Sequence, residues 1–117
     1  MTVKEFEQYI ADNKKIVVYC GYNTFPGTLK GDACFREARD HILRDKYEYL
    51  MCDVSGAGMD IGYYLLGTSW NLPMTVLYAD GVEIGRTCDC FNGDAGEYAK
   101  WIDGQYAKIY QEMKTRS

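Results

Sequence analysis

The chain has 117 residues, 47% hydrophobic and 26% charged, with 13 Lys and Arg against 17 Asp and Glu for a net charge of −4. That is the composition of an ordinary globular protein, at a length that fills one core but not two. It excludes the clustered basic footprint of a nucleic-acid binder, and no apolar run approaches the ~18 residues needed to cross a bilayer.

Thr2 followed by Glu5 forms a capping box, and Val3, Phe6, Tyr9 and Ile10 recur at helical spacing, so a first helix is predicted to about Asn13. The stretch before Lys15 is acidic and amphipathic and lacks the apolar centre of a secretion signal, which predicts a cytoplasmic protein. Ile16 to Cys20 (IVVYC) reads as a buried central strand. Gly21 to Gly31 holds three glycines and a proline and reads as a long loop, with Asp32 capping a second helix. Phe35, Ala38, Ile42 and Leu43 fall on one face of that helix. Tyr47 to Cys52 (YEYLMC) is a second strand ending at Asp53, and Ser55 to Gly58 is a turn. Met59 to Gly67 is a short helix weakened by Gly62.

Pro73 precedes a hydrophobic strand from Met74 to Tyr78, where its missing N–H leaves a sheet ladder intact. Asp80-Gly81 then predicts a tight hairpin into a strand from Val82. A last helix is expected from near Asp94, with Tyr98, Trp101, Ile102, Tyr106 and Ile109 as its apolar stripe, fraying beyond Met113.

Five cysteines, Cys20, Cys34, Cys52, Cys88 and Cys90, are an odd set, which argues against a fully paired secreted framework. In a reducing compartment such residues serve as core filler, metal ligand or redox thiol. Cys20 and Cys52 lie in apolar strands and read as packing. Cys88 and Cys90 follow the hairpin, where alternate residues of an extended segment share a face. His41, the one histidine, reads as a solvated residue, and Tyr22, Tyr63 and Tyr64 could form an aromatic rim.

The order α-β-α-β-α-β-β-α, with IVVYC, YEYLMCDV and LPMTVLYADG as its sharpest points, resembles the thioredoxin-like superfamily along almost the whole chain. The resemblance implies an α/β fold in one domain over residues 1–117, with a four-stranded mixed sheet flanked by helices. It also implies a cis bond before Pro73, with the Leu72 backbone facing the start of the second helix. Thioredoxin-like oxidoreductases place Cys-x-x-Cys at that helix start, where the helix dipole lowers a thiol pKa. The matching tetrapeptide is read as Gly31-Asp32-Ala33-Cys34, which keeps the second cysteine and has glycine for the first. The preceding loop is similar in kind to that of thioredoxin-related proteins with a Cys-Pro-Asp-Cys motif. The acid found inside the first strand of many thioredoxins is missing, since Val17, Val18 and Tyr19 offer no carboxylate.

Three functions follow from the resemblance. The first is thiol–disulfide redox activity, with Cys34 catalytic alongside Cys88 or Cys90, and with Leu72, Pro73 and Asp89 contacting substrate. The second is a redox-inactive module that holds an extended partner segment at the Pro73 groove. The third is a metal or iron–sulfur site built from Cys20, Cys34, Cys88 and Cys90. The first is the preferred expectation, with no metal or other cofactor and with a protein or small thiol as redox partner. Nucleic acid and membrane are not expected partners.

Overall fold

The computed structural model describes residues 2–21, 26–54, 59–67, 71–89 and 91–116. Thr2 opens α1 (Val3–Asp12): its Oγ1 accepts from the Glu5 N–H at 3.1 Å, and Glu5 Oε1 accepts from the Thr2 N–H at 3.0 Å. β1 (Lys15–Gly21) follows, then α2 (Pro26–Glu37), which runs on through π-helical turns over Ala38–Leu43 and a 3-10 turn at Arg44–Lys46. β2 (Glu48–Asp53), α3 (Met59–Leu66), β3 (Met74–Ala79) and β4 (Val82–Thr87) come next. A 3-10 turn at Phe91–Gly93 leads into α4 (Ala95–Arg116), capped by Asp94 Oδ1 accepting from the Glu97 N–H.

The four strands form one mixed sheet in the order β2-β1-β3-β4. β1 runs parallel to β2 and antiparallel to β3, and β3 pairs antiparallel with β4. Asp80 and Gly81 both take positive φ (50° and 83°), the backbone that a two-residue hairpin needs.

β1 lies inside the sheet, so both of its faces are buried and its sequence is continuously apolar. Ile16, Val18 and Cys20 face α1 and α3, packing with Phe6, Ile61 and Leu65. Val17 and Tyr19 face the other way, toward Phe35, Ala38, Tyr98 and Ile102 of α2 and α4. The Tyr106 hydroxyl, buried in that second layer, reaches the carbonyls of Ile16 and Tyr78 at 3.1 and 2.9 Å and ties α4 to two strands.

Two expectations are corrected. The second helix starts at Pro26 rather than at Asp32. Proline suits a first helical position, because its φ is already helical and its missing N–H would have no intrahelical partner there. Gly31 and Asp32 are therefore helix-interior residues. The second correction concerns Ile42, which is 43% exposed while Leu43 is 2% exposed. Where the helix widens to i→i+5 bonding, Ala38 aligns with Leu43 instead of Ile42, so the apolar face moves on by one residue. The expected turn at Ser55–Gly58 lies outside the described residues. Among the described residues no helix is long and apolar enough to cross a membrane.

The tyrosines give this fold an alkaline limit. Burial, then the Asp103 carboxylate that accepts from its hydroxyl, pushes the Tyr47 phenol well above the ordinary range. Burial first, then the charges of Asp103 and Asp45, pushes Tyr49 up to about 12. The native state thus keeps these phenols neutral, whereas the unfolded chain ionises near pH ~10. Stability from this source is complete below about pH 10 and is lost as pH rises through about 12. Melting temperature followed from pH 8 upward should fall over this window, with tyrosinate absorbance appearing late until unfolding. Tyr47→Phe should make the decline shallower. An unchanged slope would mean that Tyr47 does not titrate differently in the two states.

Candidate active site at the Pro73 corner

The Leu72–Pro73 peptide bond is cis, and Pro73 is buried where the chain turns into β3. α2 passes directly over it. An ideal Cβ on Gly31 would lie 2.6 Å from Tyr19 Oη and 2.7 Å from Pro73 Cγ, so only glycine lets the helix come this close. Residues three apart share a helix face, which places Cys34 one turn along from this contact. Cys34 is 4% exposed and packs among Tyr19, Phe35 and Ala38.

Of the other residues read as catalytic, Cys88 is exposed just past the end of β4, and Cys90 lies outside the described residues. Asp89 Oδ1 accepts from the Phe91 N–H at 2.8 Å, and the Asp89 N–H donates to Thr87 Oγ1 at 3.1 Å. These bonds shape a turn in which Phe91, Asn92 and Gly93 all have positive φ. The turn sends the Phe91 ring edge-on to Tyr98 at 5.7 Å, into the same apolar cluster as Cys34. The fold thus brings the segment after Cys90 to the α2 face that carries Cys34.

No family model matches the sequence, and no curated protein matches it either. Solved structures do. Mitochondrial thioredoxin 3 from Saccharomyces cerevisiae, in its oxidised form, superposes with a TM-score of 0.68 at 20% identity, over 88% of this chain and 90% of that one. A mutant thioredoxin from Halobacterium salinarum gives 0.67 at 13% identity, over 87% and 83% of the two chains. The oxidised thioredoxin of Plasmodium falciparum gives 0.64 at 12% identity, over 85% and 90%. The chain has a thioredoxin fold.

The resemblance to thioredoxin-like oxidoreductases puts reactive cysteines at the start of the second helix. Here that helix begins at Pro26, and its first residues, Pro26-Gly27-Thr28-Leu29, include no cysteine. Reading Gly31 to Cys34 as the helix start is therefore corrected. Cys34 stands more than two turns inside α2, beyond the first turn in which the helix dipole and unpaired N–H groups act on a thiol.

The first strand carries no acid of its own, but a carboxylate from another element stands beside its end. Asp32, on α2, lies beside Tyr19, and its Oδ1 would be 3.0 Å from a Cβ built on Gly21. That oxygen is buried with no hydrogen-bond partner among the described residues. A cleft of about 230 Å³ opens next to it at the C-terminal ends of β1 and β2, with Tyr19, Asp32, Arg36, Cys52 and Asp53 among its lining residues.

Cys20 and Cys34 lie on opposite faces of the sheet, because side chains alternate along β1 and Cys34 packs with Val17 and Tyr19. The reading of Cys20, Cys34, Cys88 and Cys90 as one metal or iron–sulfur set is thereby overturned. Cys20 meets Cys52 instead: the two are direct partners in the parallel β1–β2 ladder. IVVYC and YEYLMC each end in cysteine, and aligning the ends of two neighbouring parallel strands would have paired them. The described cysteines are all thiols.

Proposed function

We propose that this protein is a thioredoxin-fold binding module that holds an extended polypeptide segment along the Leu72–Pro73 turn. The observation that carries this reading is the seating of Pro73 under α2 at Gly31, combined with a helix start that has no cysteine. The docking corner of the fold is kept and its usual nucleophile is gone. An extended segment binds such a corner by main-chain hydrogen bonds, with side chains adding selectivity. The partner is a protein, not nucleic acid or membrane, met in the cytoplasm where the thiols stay reduced.

A second reading is thiol–disulfide exchange between Cys34 and Cys88 or Cys90, with Asp89 between the latter two. Its support is the cluster that Cys34 shares with Phe91, the residue after Cys90. One pair of measurements separates the two. Reduction of insulin by dithiothreitol should run no faster with the protein than without it. Peptides selected from a random display library should bind the wild-type chain and lose about tenfold in affinity, roughly 1.4 kcal/mol, to Leu72→Asp. Acceleration of insulin reduction that Cys34→Ser abolishes would replace the binding reading with the exchange reading.

A further inference from the structure

Cys20 and Cys52 take part in neither reading. Their strands run parallel and in register, with Cys20 opposite Cys52, and both side chains belong to the layer beneath α1 and α3. Neighbouring strands lie about 4.8 Å apart, inside the ~4.4–6.8 Å that separates the Cα atoms of disulfide-bonded cysteines. Cys20 is fully buried, whereas Cys52 sits half-buried on the edge strand β2. The neighbouring thiol, together with burial, pushes the Cys20 thiol above its ordinary range, and the same neighbour draws Cys52 below it. Cys52 is also the more accessible sulfur of the two.

We propose that Cys20 and Cys52 form a dithiol site for hydroperoxides, with Cys52 attacking and Cys20 resolving to close a cross-strand disulfide between β1 and β2. The Cys52 thiolate attacks the terminal hydroperoxide oxygen. The O–O bond breaks, an alcohol leaves with one proton, and Cys52 becomes a sulfenic acid. Cys20 sulfur then attacks Cys52 sulfur, the S–O bond breaks, and the Cys20 proton leaves with the hydroxyl as water. Two thiols are oxidised by two electrons while the hydroperoxide is reduced to alcohol and water. A small thiol reopens the bridge by thiol–disulfide exchange. Cys20 is also the ladder partner of Met74, the residue after Pro73, so oxidation pulls on the strand that leaves the Pro73 corner.

The test is mass spectrometry of the full chain after stoichiometric hydrogen peroxide, alkylation of remaining thiols and proteolysis. The expected product is a peptide pair linked through Cys20 and Cys52, reopened by dithiothreitol. In Cys20→Ala, Cys52 should instead be trapped by dimedone as the sulfenic acid. In Cys52→Ser, which alters only the half-buried partner, Cys20 should stay reduced. The proposal is overturned by Cys52 linked to another cysteine, by Cys20 and Cys52 both still reduced when Cys88 is fully oxidised, or by Cys20 oxidising in Cys52→Ser as fast as in the wild type. Peptide binding at Leu72–Pro73 is measured on reduced protein, so either result stands without the other.

Discussion

Gly31→Val should destabilise the fold by about 2 kcal/mol and abolish function at the Pro73 corner, whichever reading of that corner holds. The added Cβ would meet Tyr19 Oη at 2.6 Å and Pro73 Cγ at 2.7 Å, both closer than real Cβ contacts come. Neither neighbour can yield easily. Tyr19 is stacked on Phe35 with ring centroids 5.0 Å apart, and Pro73 is a buried ring at a fixed turn. The helix cannot retreat either, because Cys34 and Phe35 anchor it in the core. Replacing a helical glycine returns at most ~1 kcal/mol through propensity, and less for a β-branched residue. Overpacking in a core costs about 1–3 kcal/mol or more, so the clash wins. Gly104→Ala is the control, since it lies within α4 with nothing within 4 Å of its Cβ position. It should stabilise by about 0.4–1 kcal/mol. Urea denaturation of the two variants measures both effects. A Gly31→Val protein as stable as Gly104→Ala would mean that α2 does not rest on Pro73.

Phe35→Ala should be the more damaging change, at about 3–5 kcal/mol. Phe35 is almost fully buried, stacks on Tyr19, meets the Tyr49 ring edge-on at 6.1 Å and carries the Arg39 guanidinium over its face at 5.7 Å. Its removal leaves a cavity between α2 and the sheet that the β1 backbone cannot fill, because β1 is held by ladders on both sides. A domain of this size has about 5–15 kcal/mol of stability in total, so the variant should lose a large share of it. A drop in the urea midpoint with little change in slope is the expected record. A loss under about 1 kcal/mol would show that α2 does not rely on this contact.

The sequence alone determined the features whose chemistry is local. Thr2 and Glu5 satisfy each other's N–H groups within one turn, and Asp80-Gly81 supplies positive φ at two adjacent positions. Asp94 caps α4, and the continuous apolar run of β1 needs no distant partner to be read as a buried strand. These are consequences of neighbouring residues, so they survive without knowledge of the fold.

The remaining features depended on residues far apart in the chain. Gly31 and Asp32 look locally like the end of a loop and a helix cap. They are helical because α2 must come close to Pro73, some forty positions later, and glycine is what permits the approach. Leu43 takes the buried place of Ile42 because the helix widens to i→i+5 bonding, a shift that α-helical spacing cannot predict. Cys34 looks, in sequence, like a residue at a helix start. It is a core thiol, because the helix begins at Pro26 and carries it away from the terminus. Cys20 and Cys52 look like separate core fillers, and they touch because the β1–β2 ladder aligns two strands joined by a helix. Which strands become neighbours is settled by burial on both faces of the sheet, so neither strand read by itself shows its partner.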